Sequence, residues 1–325
     1  MSHTSIRTYT GTLTITLTLL CWSSVPLFLR HFAESIDAWT SNGWRYGFAA
    51  MLWAPLLLVG HVRKRLPPGL WRAALVPSLV NAVGQVTFTC AHYKIDPGLL
   101  TFGLRSQVVF ATVGAYLLFP RERQVIRSRR YLVAVVLVLG GTAGAILLDG
   151  GSFDEARVSG VVLALVSGGL FAGYALAVQR YMSGINSVIA FAVISQYTAA
   201  AMIALMLLFG DRYGLAAVAL PEGEFLLLLL SAVIGIAIGH VLYYMSMARL
   251  GIAVSSGVLQ LHPFLVGIAS FYLFKEVLTV AQWTSGLLAV VGAVLMLGAQ
   301  ERVLRRRLKT AAASLRAGPS ATAGK

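Results

Sequence analysis

The sequence predicts an all-α integral membrane protein, ten transmembrane helices arranged as two inverted five-helix repeats. Three observations lead there. Of 325 residues, 58% are hydrophobic and 12% charged, with a mean hydropathy of +0.78, which leaves too few charges to coat a soluble globule of this size. The apolar residues gather into ten runs, each near the ~20 residues a helix needs to cross the hydrocarbon layer. Two of these runs match: GLLTFGLRSQVVFATVGAYLLFPRE at 98–122 and AVSSGVLQLHPFLVGIASFYLFKE at 253–276. A shift of 155 residues puts Arg105 on Gln260 and Gln107 on His262, with a one-residue slip where the segments close on LLFPRE and YLFKE.

In chain order, a polar cytoplasmic head at 1–10 precedes the first span, 11–29. Arg7 stands before that span, but no A-x-A site follows it, so a cleaved signal peptide is not expected. The second span, 44–60, is entered through Trp44, Arg45 and Tyr46, with the two aromatics read as interface anchors. Arg63, Lys64, Arg65 and Arg72, with Pro67 and Pro68, make a basic loop around the start of the third span, 71–93. Asp96 and Pro97 turn the chain into the fourth, 98–122, and five arginines from Arg121 to Arg130 lead to the fifth, 131–148. The acidic, Gly-rich stretch 149–157 is the natural joint between a first repeat, 11–148, and a second, 158–298. The second repeat reads as spans 158–178, 188–209, 225–248, 253–274 and 280–297, followed by a basic tail, 299–325, expected to be disordered beyond Ala313.

Sorting the charges fixes the orientation. With the N-terminus cytoplasmic, nineteen Lys and Arg fall on the cytoplasmic side and six outside (Arg30, Arg45, Lys94, Arg157, Arg212, Lys275), with Arg105 alone inside a span. This is the asymmetry of the positive-inside rule, and it puts both termini in the cytoplasm. Five helices per repeat is an odd number, so the repeats are inverted, the plan of many secondary transporters.

Several function classes are excluded. The net charge of +14 sits in short clusters between apolar runs, with no nucleic-acid motif beside it. Cys21 and Cys90 lack CxxC spacing and nearby ligand residues, so neither a metal nor a cofactor is expected. No HExxH, GxSxG, phosphate loop or pair of intramembrane aspartates suggests an enzyme. A receptor or scaffold leaves the two inverted repeats without a purpose. What remains is a carrier of a small-molecule substrate in a lipid bilayer, as monomer or homodimer.

The candidate substrate-binding residues are the polar ones at membrane depth: Arg105, Gln107, Gln260 and His262 on the matched spans, His240 and Tyr244 on the eighth, Asn81 and Gln85 on the third. A buried cation costs roughly 2.5–3.5 kcal/mol on insertion scales, so Arg105 is expected to face a cavity or a partner, where its forked guanidinium suits a carboxylate or phosphate. The competing expectation is that it snorkels to the headgroups. Residues two apart point to different sides of a helix, so Arg105 and Gln107 share a cavity only if the helix unwinds, and the same holds for Gln260 and His262. His240 and Tyr244 share a face, as do Asn81 and Gln85, and interhelical hydrogen bonding is the plainer role for each. Trp22, Tyr174 and Gln196 are weaker candidates. No Asp or Glu lies deep in a span, so proton coupling would fall to His262, His240 or His92. Glu122 and Glu276 end their spans and read as surface-paired. Gly140 with Gly144, Gly169 with Gly173 and Gly235 with Gly239 have the small-xxx-small spacing of close helix packing.

The ordered set CWSS at 21–24, WRYGF at 44–48, AHYKIDPGLL at 91–100, YYMSMARLGIAVSSGVLQLHPF at 243–264, YLFKE at 272–276 and WTSGLLAVVGAVLML at 283–297 resembles the EamA-like branch of the drug/metabolite transporter superfamily over nearly the whole chain. The resemblance implies alternating access around a central cavity lined by helices one to four and six to nine, with five and ten peripheral. It implies a metabolite substrate: an amino acid or another carboxylate-bearing compound leaving the cell, or else organic-anion uptake. Compact loops and no transit peptide favour a prokaryotic inner (plasma) membrane. In the family, helices four and nine carry a midway proline. Pro263 fits, but Val108 or Val109 holds the first-half place, so the fourth helix is expected to run unbroken.

Overall fold

The computed structural model describes residues 3–120, 122–148, 155–275 and 279–316, and among these there is no strand. The expected joint at 149–154 and Glu276 lie outside the described residues. The first half comprises α1 (His3–Phe32), α2 (Ala38–Val62), α3 (Leu70–His92), α4 (Pro97–Gly103), α5 (Gln107–Leu118), the short α6 (Arg123–Ile126) and α7 (Arg129–Leu147). The second comprises α8 (Glu155–Tyr181), α9 (Ser187–Phe209), α10 (Glu222–Ser231), α11 (Gly239–Leu250), α12 (Ile252–Val258), α13 (His262–Phe274) and α14 (Val280–Arg316). Each expected span coincides with helix, and seven helical stretches among the described residues are long and apolar enough to cross a membrane.

Local chemistry sets the boundaries. Asn186 and Ser128 cap α9 and α7 through their side chains, and Pro97 sits at the start of α4, where its missing N–H costs nothing. Asp37 caps α2, accepting from the N–H groups of Trp39 and Thr40, so the helix starts six residues before the expected Trp44. Its other oxygen accepts from Thr40 Oγ1 and the Asp211 N–H, tying the α9–α10 connection to α2. Trp44 is not merely an interface anchor, because its indole N–H donates to the Gly214 carbonyl in that same connection. At the other end, α14 runs to Arg316, past the expected onset of disorder at Ala313, because nothing between 299 and 316 breaks a helix.

Burial pushes the Asp37 carboxyl up, but hydrogen bonds from the Thr40 hydroxyl and the Thr40, Asp211 and Trp39 N–H groups outweigh it and hold the group below the usual carboxylate range. The stabilisation is therefore whole above about pH 4 and is lost as pH falls through the folded value. Asp37→Ala is expected to lower stability by about 1 kcal/mol at pH 7. Thermal unfolding in detergent should show the gap between mutant and wild type narrowing as the pH drops below 4.

The packing repeats when the halves are exchanged. α3 packs along α8 as α11 packs along α1, while α2 pairs with α9 and α7 with α14, each with its own counterpart. α4 meets α13 and α5 meets α12, so the two matched spans cross antiparallel. Close approach uses three of the glycines that the spacing suggested, since a Cβ would lie 2.5 Å from Ser285 Oγ at Gly144, 2.4 Å from Val25 Cγ2 at Gly235 and 2.6 Å from Trp22 Nε1 at Gly239, and it uses others besides. A Cβ at Gly140 would meet nothing within 4 Å, whereas one at Gly141 would lie 2.3 Å from the Ser285 carbonyl of α14.

Both matched spans are broken, and at equivalent points. A 3-10 turn, Leu104–Ser106, separates α4 from α5, and another, Leu259–Leu261, separates α12 from α13, again 155 residues apart. The unbroken fourth helix expected from its missing proline is thus corrected. The physical reason is a side-chain device common to both. Arg105 Nε donates to the Thr101 carbonyl (2.9 Å), and Gln260 Nε2 donates to the Ser256 carbonyl (2.8 Å), in each case four residues back. A polar side chain bonding the carbonyl one turn behind it loosens that turn's own hold on the backbone. Pro263 then serves α13 as an early-turn residue, where its ring is tolerated.

Candidate functional site

The two breaks touch. The Arg105 guanidinium continues past Thr101 and donates through Nη1 to the carbonyl of Leu259, so the first break is fastened to the second. Gln260, shorter and unforked, makes no such return; its Oε1 has no hydrogen-bond partner among the described residues. Beside this junction lies a cavity of about 710 Å3, counting its open mouth.

Arg105 lines this cavity at 4% exposure, so it does not snorkel to the headgroups. Gln107 lines it too, because the 3-10 turn between them relieves the two-residue mismatch of a regular helix. On the other span His262 lines it, with Leu259, whereas Gln260 does not and is turned along its own helix. His262 Nε2 donates to the Trp22 carbonyl (3.0 Å), leaving Nδ1 an acceptor with no partner among the described residues.

Aromatic groups from other helices shape the wall. His240 lines the cavity, its Nδ1 bonded to the Ile236 carbonyl at 3.2 Å, with Phe191 stacked on one side at 5.0 Å and Trp22 edge-on at 5.2 Å. The segment Ala232–Ile238 between α10 and α11 is π-helical, and Trp22 Nε1 donates to its Gly235 carbonyl. Such bulges present backbone groups that a regular helix would hide. Tyr244 does not line the cavity, but its hydroxyl bonds that of Tyr174, which does. Gln85 reaches the cavity, whereas Asn81 lies behind it, donating to Thr198 Oγ1 and accepting from Gln85 Nε2. Gln196 is occupied elsewhere, on the Ala50 carbonyl. His92 is buried away from the cavity, its Nδ1 on the Phe88 carbonyl.

The lining departs from the expected one in two ways. No residue of α9 belongs to it; that helix stands behind, through Phe191. α2 supplies Arg45 and Tyr46, which sequence reading had left at the membrane boundary. Arg45 is 3% exposed and its Nε donates to Ser231 Oγ at 3.0 Å. The signal that finds it is Asp37: with that cap, Arg45 lies two turns inside a helix and no longer belongs among the outside charges. Among the described residues two arginines therefore face the cavity, and no carboxylate lines it.

Glu122 is half-buried, not surface-paired. Its Oε1 accepts from Gln179 Nε2 (3.1 Å) at the end of α8 and from the Ile252 N–H (3.3 Å) that begins α12. Among the described residues no group of His, Cys, Asp and Glu could hold a metal ion.

The comparisons with known proteins agree with this architecture. The model of the EamA-like transporter family matches the chain twice, at residues 9–147 and 158–298. A solved structure described only as "Crystal structure of protein" superposes with a TM-score of 0.66 at 15% identity, over 92% of this chain and 98% of its own, a likeness of fold. No curated protein matches the chain.

Proposed function

The chain belongs to the EamA-like transporter family, and on that premise we propose that it is a secondary transporter carrying a small, carboxylate-bearing metabolite by alternating access through this cavity. Membership makes it a membrane transporter of small molecules. The finer reading is ten crossings in two inverted repeats, in a prokaryotic inner membrane with both termini cytoplasmic. Repeats whose packing is exchanged by a two-fold relation support rocking of one bundle against the other around a fixed central site.

One observation carries the substrate class: the guanidinium of Arg105 stands on the cavity wall at the crossing of the two broken spans, with neutral carbonyls as its partners among the described residues. A forked cation in that setting binds a carboxylate through two parallel hydrogen bonds. Export of an amino acid is the family-based form of this reading. The wall itself favours organic-anion transport, because among the described residues no carboxylate lines it to meet an ammonium group.

Substrate-induced thermal stabilisation of the purified protein tests the class, measured across a metabolite panel on wild type, Arg105→Gln and Arg105→Lys. A ligand at 100 times its Kd adds about 2.7 kcal/mol. Carboxylates are expected to stabilise wild type and to lose that effect in folded Arg105→Gln. Amines or neutral compounds stabilising all three alike would overturn the reading.

A further inference from the structure

We propose that the cavity takes a substrate with two separated anionic groups, such as a dicarboxylate, one group held by Arg105 and the other by Arg45. The inference rests on the transport reading above and adds to it the second charge and the residue that reads it.

Arg45 is the less expected of the two cations. It is almost fully buried, its Nε is satisfied by a neutral serine hydroxyl, and neither Nη1 nor Nη2 has a hydrogen-bond acceptor among the described residues. Those two nitrogens are also not sealed in protein, since the residue lines the cavity. A cation retained at membrane depth faces either a partner or a water-filled space that a partner enters. Among the described residues no carboxylate pairs with Arg45, which leaves its two Nη groups to a ligand.

The two arginines line one cavity from different helices. Arg45 lies seven residues beyond the first residue of α2 and Arg105 eight beyond the first of α4. At 1.5 Å per residue these are roughly 10 Å and 12 Å along helices that enter from the same side of the protein. Both residues thus stand about two turns into their own helices and line the same cavity. Each keeps its own neutral anchor, Ser231 for Arg45 and the Thr101 and Leu259 carbonyls for Arg105. Two anchored forks suit two anionic groups on one molecule better than a single group pulled between them. Val25, Phe88 and Leu104 supply apolar wall for a short hydrocarbon spacer.

The test compares succinate, glutarate and adipate with their half-amides, in which a neutral carboxamide replaces one carboxylate at nearly equal size, with glycerol phosphate as a single dianionic group. Dissociation constants are measured by calorimetry on purified wild type, Arg45→Gln and Arg45→Lys. At least one dicarboxylate is expected to bind wild type at least tenfold tighter than its half-amide. Arg45→Gln should erase that preference by weakening the dicarboxylate alone, and Arg45→Lys should restore part of it. Equal binding of each dicarboxylate and its half-amide by wild type would overturn the proposal, while their joint loss in Arg105→Gln would leave the carboxylate reading standing. Glycerol phosphate binding best would overturn it in favour of one dianionic group. Equal weakening of both ligands in Arg45→Gln would overturn it by making Arg45 structural. If no anion binds wild type, both readings fall. Should Arg45→Gln not fold, the wild-type comparison and Arg45→Lys decide the matter.

Discussion

Gly168→Val is expected to yield little or no folded protein, whereas Gly173→Ala, five residues further along the same helix, should unfold within about 1 kcal/mol of wild type. A Cβ at Gly168 would lie 2.3 Å from Ser106 Oγ, 2.9 Å from the Leu104 carbonyl oxygen and 3.1 Å from the Gln107 nitrogen. Two of those three atoms are backbone, one in the 3-10 break that positions Arg105 and the other in the first residue of α5 that follows it. The serine is also held, its Oγ donating to the Leu165 carbonyl of α8. None of these groups swings aside as a long side chain would. Overpacking of a well-filled interior costs about 1–3 kcal/mol even where side chains yield, and here the backbone itself must shift. At Gly173 the nearest atom is Val80 Cγ1 at 3.5 Å, an ordinary contact. Thermal unfolding and size-exclusion profiles of Gly168→Ala, Gly168→Val and Gly173→Ala check the ordering. Gly168→Ala should fall between the others, and a Gly168→Val protein as stable as wild type would mean that α8 does not lie against the break.

How much of this was legible in the sequence depends on the range of the signal. The 155-residue offset placed Arg105 opposite Gln260, and the two breaks fall at that offset. Proline alone was a poor guide to the breaks: Pro263 follows the second, but the first occurs without one, at a turn where Arg105 bonds the Thr101 carbonyl. Gln260 could not be told from Arg105 as a cavity residue by depth or polarity. The difference is one of reach, since only the guanidinium extends beyond its own helix to Leu259. Arg45 was hidden by a boundary error. Hydropathy starts α2 at Trp44, but the polar first turns, Thr40, Ser41 and Asn42, are buried against other helices, and only the cap at Asp37 marks the true start. The small-xxx-small spacing named Gly169 and Gly173 on α8, while the critical contact is at Gly168, because which face of a helix meets a neighbour is a tertiary fact that spacing within one helix does not carry.

A second large effect is expected at the end where the basic loops gather. Glu122→Ala should raise, at least tenfold, the rate at which a membrane-impermeant maleimide reaches a cysteine placed at Gln107 from that side. The carboxylate joins three elements that alternating access would have to separate: it closes the segment after α5, accepts from Gln179 at the end of α8, and accepts from the first N–H of α12. A negative charge at a helix N-terminus is favoured by the unpaired N–H groups there. Hydrogen bonds to charged groups contribute about 1.5–3 kcal/mol each when buried. With Glu122 half-buried, the pair together is taken at about 2–3 kcal/mol, or roughly a 30- to 150-fold bias between two conformations. Removing it should shift that population toward the form open on the basic side, where Gln107 faces the cavity. The background needs Cys21 and Cys90 replaced, since both thiols are free and only half-buried. Glu122→Gln keeps a neutral acceptor and should give an intermediate rate. Labelling unchanged in Glu122→Ala would mean that the carboxylate only decorates the helix ends. Labelling raised equally from both sides would mean that it holds the fold together without favouring one side.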